Sequence, residues 1–236
     1  MLKKYFKIVL IFCCSLLVFS SYTKAQNADD LVKKVRAKLE QVNDYVAEAK
    51  LKTDVAFIKA PIGKVKIYYQ KPNKLKIVKE KGISILPKGG VSINSSSVLG
   101  MTNYTAFDAG EAVVNGTQTK IIKLLPLDEN SDVVITTLYI DAAALLIRKS
   151  ATTTKENGSF EMEMFYTDYA NYGLPNKMIF SFNVKDYKIP KGVTLEFDDD
   201  ATPEEKLKMK RKKGRVEFIY TNYIINKGID QSIFKG

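Results

Sequence analysis

The sequence predicts a mainly β protein with one helix, in which a strongly curved antiparallel sheet forms an unclosed barrel around an N-terminal helix. Three observations lead there. From Asp132 to Val184, apolar and polar residues alternate with a period of two in four segments joined by short turns. Ala28–Val42 is the single long stretch with apolar residues at helical spacing. The remaining segments are short, alternating and punctuated by turn residues, as in a meandering antiparallel sheet. One helix is about 10–12 Å across. It cannot cover the apolar face of a flat sheet of roughly ten to twelve strands spaced about 4.8 Å apart. Coiling the sheet around the helix would remove that deficit.

The chain opens with Lys3, Lys4 and Lys7, then the apolar run Ile8–Ser20, then Thr23-Lys24-Ala25. A basic start, a run too short to span a bilayer comfortably and small residues at −3 and −1 are the marks of a cleaved secretory signal. Residues 1–25 are expected to be removed, leaving Gln26 as the first mature residue and 26–236 as a single domain. Cys13 and Cys14 lie inside the apolar run, and Phe12 is bulky where a lipid-attachment site wants a small residue.

The helix Ala28–Val42 carries Leu31, Val35, Leu39 and Val42 on one face, with Asp29 and Asp30 in its first turn. Strands are expected at Tyr45–Lys59, Lys64–Gln70, Lys74–Lys79, Gly82–Leu86 and Val91–Asn94. Ser95–Ala109 lacks clean periodicity and reads as a loop or short helix. Glu111–Val114 and Thr117–Leu125 flank Asn115-Gly116, the strongest hairpin signal in the chain. Asp132–Ile140, Ala144–Ser150, Ser159–Thr167 and Lys177–Val184 form the central block. Val193–Phe197 and Arg215–Ile225 complete the strands. Between these last two, Thr202, Pro203 and Glu205 make a capping box for a helix that Gly214 can stop. Leu207 and Met209 are its only apolar anchors, so it should lie exposed.

Composition excludes several chemistries. The 236-residue chain contains no His, and its two Cys lie in the leader. A mature protein of this sequence has no imidazole base, thiol nucleophile, disulfide or ordinary zinc site. No G-x-S-x-G, P-loop or H-E-x-x-H motif occurs. The acidic groups Asp29-Asp30, Asp128-Glu129 and Asp198-Asp199-Asp200 sit at turns or a helix start, and Glu161 and Glu163 share a solvent face. No enzyme and no cofactor are expected. Removing Lys3, Lys4, Lys7 and Lys24 takes the formal charge from +11 to +7. The lysines are spread along solvent faces of strands, so no nucleic-acid partner is expected.

The helix with Leu31, Val35 and Leu39, the turn-and-strand Lys71-Pro72-Asn73-Lys74-Leu75-Lys76, the run Leu138–Ile147, Gly158–Phe165, Gly173-Leu174-Pro175 leading into Lys177–Phe182, and the tail Tyr223–Phe234 together form a recognisable pattern. It resembles the periplasmic outer-membrane lipoprotein-sorting and lipoprotein-carrier proteins of the LolA type. The resemblance covers about Ala28 to Gly236 and implies a LolA-like unclosed barrel with a helical lid, located in the periplasm. It also implies carriage of acylated lipoprotein or other lipid in a hydrophobic groove; a monomer is expected. Combined with the coverage deficit, it makes Leu31, Val35, Leu39, Phe160, Met162, Met164, Met178, Phe180 and Phe182 the candidate groove, with methionines as adaptable liners. Carriers of this type hold the lid with an arginine after the proline turn. The matching position here is Lys76, the candidate lid contact, and an ammonium cannot make the same planar bidentate bond. Lys206, Lys208, Lys210, Arg211, Lys212 and Lys213 form a candidate patch for docking on a membrane surface or an envelope receptor. The alternative reading is a non-catalytic envelope structural or partner-binding protein whose core is filled by these same side chains.

Overall fold

The computed structural model describes residues 28–54, 63–72, 74–79, 103–156, 158–183 and 213–234. Residues 28–39 are helical (α1), and a turn follows at residues 40 and 41. Ten strands follow: β1 (Asp44–Asp54), β2 (Gly63–Gln70), β3 (Lys74–Lys79), β4 (Tyr104–Val114), β5 (Thr117–Pro126), β6 (Val133–Asp141), β7 (Leu146–Thr154), β8 (Ser159–Phe165), β9 (Lys177–Asn183) and β10 (Lys213–Ile225). All the pairings are antiparallel and make one sheet in the order β3-β2-β1-β10-β9-β8-β7-β6-β5-β4. The chain therefore enters the sheet in its interior, runs to one edge through β3, and resumes at the other edge with β4.

Local chemistry accounts for the turns. Asn115 and Gly116 both have positive φ, 49° and 77°, as a type I′ hairpin between β4 and β5 requires. Near the start of β4, the register slips between Asp108 and Glu111, and Gly110 takes a φ of 97° there. The Asp108 carboxylate accepts the Gly110 N–H at 2.8 Å. Residues 104–109 belong to an edge strand rather than to the loop or short helix expected over Ser95–Ala109, because this bulge interrupts the alternation by which a strand is read. Likewise, the β6–β7 turn occupies residues 142–145, so β7 begins at Leu146 and not at Ala144. The strands expected at Gly82–Leu86, Val91–Asn94 and Val193–Phe197 lie outside the described residues.

One face of the sheet, the inner face, carries α1. Registers place Tyr45, Ala47, Ala49 and Leu51 of β1 on it, opposite Tyr69, Ile67 and Val65 of β2 and opposite Tyr223, Tyr220 and Phe218 of β10. Small Ala47 and Ala49 lie beside large Tyr223 and Tyr220, and the aromatic rings pack on one another there: Tyr45 to Tyr223 at 5.4 Å, Tyr220 to Tyr223 at 5.1 Å. With Val32 and Val35 of α1, these residues belong to one continuous core.

The sheet is open, with β3 and β4 as its two edges, and it is not strongly curved. Among the described residues, the extensive backbone approaches between its strands are those of hydrogen-bonded neighbours. This corrects the strongly curved barrel expected from the sequence. Strong coiling would be needed to cover a uniformly apolar inner face, and this one is not uniform. Toward β4 it carries Asp108, Lys120, Thr136, Arg148, Ser150 and Thr152. Thr136 and Thr152 hydrogen-bond to each other at 3.1 Å, so part of that face satisfies its own polarity without apolar cover.

Candidate functional site

The site is the space between α1 and the inner face. Val32 and Val35 are fully buried, while Leu31 and Leu39 are half-buried against the same core. Below them, the register aligns Phe160, Met162 and Met164 of β8 with Phe182, Phe180 and Met178 of β9. Met164 and Met178 are each 1% exposed, Met162 is 2% and Phe180 is 3%. Phe160 is half-buried, and its ring lies 5.5 Å from that of Phe180. All nine candidate groove residues thus belong to the core or pack against it.

Open space lies to one side. A cavity of about 240 Å³ sits between the first turns of α1, strands β4 and β5, and the β6–β7 turn. Ala28, Leu31, Ile122, Ala142 and Leu145 give it apolar walls, and Lys34, Asp108 and Lys120 add charge. Lys120 is ion-paired with Glu111 across the hairpin. Of the groove residues named from the sequence, Leu31 alone lines this cavity.

Three polar anchors hold the helix down. Near its end, the Lys38 ammonium donates to the Ala144 carbonyl at 2.7 Å, tying α1 to the β6–β7 turn. Burial pulls the Lys38 pKa below its ordinary value, while Asp141 opposes that shift. Asp141 itself bonds the Arg148 guanidinium at 2.7 Å and accepts the Ala144 N–H at 3.0 Å. Burial pushes the Asp141 carboxyl up, but Arg148 and the turn amides outweigh it and hold the group below the usual carboxylate range. Past the helix end, the Asn226 side-chain oxygen accepts the Asn43 N–H at 2.7 Å, and its amide donates to the Gln41 carbonyl at 2.8 Å. Lys71 donates to the Glu40 carbonyl beside it. None of these anchors stands out in the sequence, because each joins residues far apart in the chain; only the αL tolerance of Asn at position 226, φ 55°, is a local hint.

Lys76 lies elsewhere. It pairs with Tyr68 in β3, on the face opposite Leu75 and Ile77 and therefore opposite α1. Lys206, Lys208, Lys210, Arg211 and Lys212 lie outside the described residues, and Lys213 opens β10 opposite Asn183. Glu161 and Glu163 are on the outer face, where Glu161 pairs with Lys149 at 3.1 Å. Among the described residues, no group of three or more Asp, Glu, His or Cys is placed to hold a metal ion.

Comparison with known proteins bears on the fold. No protein-family model and no curated protein matches the sequence. Among solved structures, an outer-membrane lipoprotein-sorting protein domain from Vibrio parahaemolyticus is 10% identical, with 89% of this chain and 97% of that one covered and a TM-score of 0.50. A DUF1329 family protein from Desulfovibrio piger is 12% identical over 90% and 97% of the two chains, with a TM-score of 0.52. A LolA superfamily protein from Nitrosomonas europaea is 8% identical over 89% and 97%, with a TM-score of 0.49. The fold is that of the lipoprotein-sorting and DUF1329 proteins, as the sequence resemblance implies, and at these identities the likeness is one of fold.

Proposed function

We propose that the chain is a non-catalytic carrier or binding protein for acylated cargo, lipoprotein or lipid, acting in the periplasm as one domain of residues 26–236 after removal of its leader. The observation that carries this reading is an inner-face core of methionine and phenylalanine shared with α1, with a residual cavity beside the first turns of the helix. About 240 Å³ is below the roughly 300–1,000 Å³ of typical ligand sites. Cargo therefore enters by displacing α1, and Met162, Met164 and Met178 re-pack around the incoming chain. The Leu31 end is the natural entry, since the polar anchors lie toward the other end of the helix.

A second reading has its own observation. Met164, Met178 and Phe180 are packed as an ordinary core, which favours a partner-binding or structural envelope protein. Uptake of a fluorescent fatty-acyl probe separates the two. A carrier binds the probe saturably, and Leu31→Trp, which fills the cavity, weakens that binding at least tenfold while the fold persists by circular dichroism. A protein that takes up no probe, or binds it equally with Leu31→Trp, is not a carrier of this design.

A further inference from the structure

The outer face of the β1–β3 edge concentrates positive charge. Lys50 and Lys52 of β1, Lys64 and Lys66 of β2, and Lys74 and Lys76 of β3 all lie on it, and the first five are exposed. Lys50 and Lys64 are direct cross-strand partners. Like charges directly opposite each other destabilise a sheet, so the pairing is unfavourable unless an anion shares it. Local carboxylates offset it only in part. Glu217, the register partner of Lys52, is ion-paired with Lys177 at 3.4 Å and Arg215 at 3.5 Å. Asp44 accepts the Lys227 and Gly228 N–H groups. Glu48, the register partner of Lys66, and Asp54, the register partner of Arg215, are the other acids of β1–β3 at outer-face positions, set against six lysines.

Two further features give the surface a shape. Lys50, Lys64 and Lys66, with Glu48 among them, line an open cleft of about 400 Å³ together with Thr221, the extra residue of the β1–β10 bulge. Next along the strands, Tyr68, Val46 and Ile224 form a cross-strand apolar row, with Ile224 half exposed.

We infer that this face docks on an anionic phospholipid bilayer. Every cation of β1–β3 here is a lysine, a compact point charge on a flexible stem that can meet the phosphates of a headgroup layer without a fixed bidentate geometry. An open sheet face presents those charges together to a plane, and the Tyr68–Val46–Ile224 row supplies the apolar contact that settles among headgroups. The surface lies on the opposite side of the sheet from α1, so docking leaves the helix free to move.

Co-sedimentation of the whole mature protein with phosphatidylglycerol-containing and pure phosphatidylcholine vesicles, at low and high salt, tests this. Binding to the anionic vesicles alone is expected, and high salt abolishes it. Each lysine near such a surface contributes on the order of a fivefold factor, so Lys50→Gln, Lys64→Gln and Lys66→Gln combined weaken binding roughly a hundredfold. The corresponding triple Lys→Arg variant keeps it, as does Lys123→Gln on exposed β5. Acyl-probe uptake stays unchanged in the triple Gln variant, which separates this inference from the carrier reading. Equal binding to both vesicle types, no effect of the triple Gln variant, or binding to soluble polyglutamate with none to vesicles overturns it.

Discussion

Replacing Asn226 with alanine should loosen the docked end of α1. The side chain accepts from Asn43 N–H at 2.7 Å and Asp44 N–H at 3.4 Å and donates to the Gln41 carbonyl at 2.8 Å. Two of these bonds have good geometry, and each is worth about 1 kcal/mol net, less where water replaces the partner. Asn226 is exposed, so about half of that survives. Its φ of 55° adds roughly 1 kcal/mol against alanine. The total is about 2 kcal/mol, a fall in midpoint of roughly 4–8 °C for a chain of this size. Asn226→Gly loses the bonds and keeps the backbone conformation, so it should fall between wild type and alanine. Thermal melts followed by circular dichroism give the comparison, and hydrogen exchange should accelerate in residues 28–39 before the sheet. A melt within 1 °C of wild type for Asn226→Ala, or exchange that quickens equally in β6–β8, would refute the clamp.

Other outcomes follow from the same contacts. Asp141 is held low by Arg148 and the turn amides; its contribution to stability is therefore complete above the unfolded value of about 3.9 and is lost as pH falls through the lower folded value. Denaturant titrations of Asp141→Asn should show a flatter acid limb than wild type below about pH 4. A Cβ at Gly173 would lie 2.6 Å from Leu39 Cδ2, and the φ there is 67°, so Gly173→Ala should cost roughly 1–3 kcal/mol in urea unfolding. The Ser150 hydroxyl is buried without a hydrogen-bond partner, so Ser150→Ala should be neutral or stabilising by up to about 1 kcal/mol, whereas a loss of stability would mean that the hydroxyl is satisfied.

Period-two alternation made most strands readable. β3 runs over Lys74–Lys79 as expected, and β8 and β9 begin at the expected Ser159 and Lys177, because each buries one face. At β4 the same signal failed, since an edge strand with a bulge exposes residues on both faces. Curvature was misjudged for a related reason. Counting apolar positions on β8 and β9 suggests a face in need of cover, but the neighbouring inner positions Thr136, Ser150 and Thr152 are hydroxyls. The likeness to lipoprotein-sorting folds was legible through motifs spread along the whole chain, while the strongly curved barrel was misread; the anchors of α1 were not legible, because Lys38–Ala144 and Asn226–Gln41 join residues that only the folded sheet brings together. The lysine face was hidden similarly: along the chain its residues look like ordinary solvent positions, and only the registers of β1, β2 and β3 gather them.

Acyl cargo beneath α1 is the central claim, and native mass spectrometry of the mature protein, purified gently from a bacterial envelope, tests it most directly. The carrier reading predicts satellite masses of acyl-chain-bearing molecules that disappear in Leu31→Trp, whose side chain occupies the cavity beside Ile122 and Leu145. A single unliganded mass that stays unliganded after incubation with lipid and lipopeptide would contradict it and leave the packed core as the sole business of the inner face.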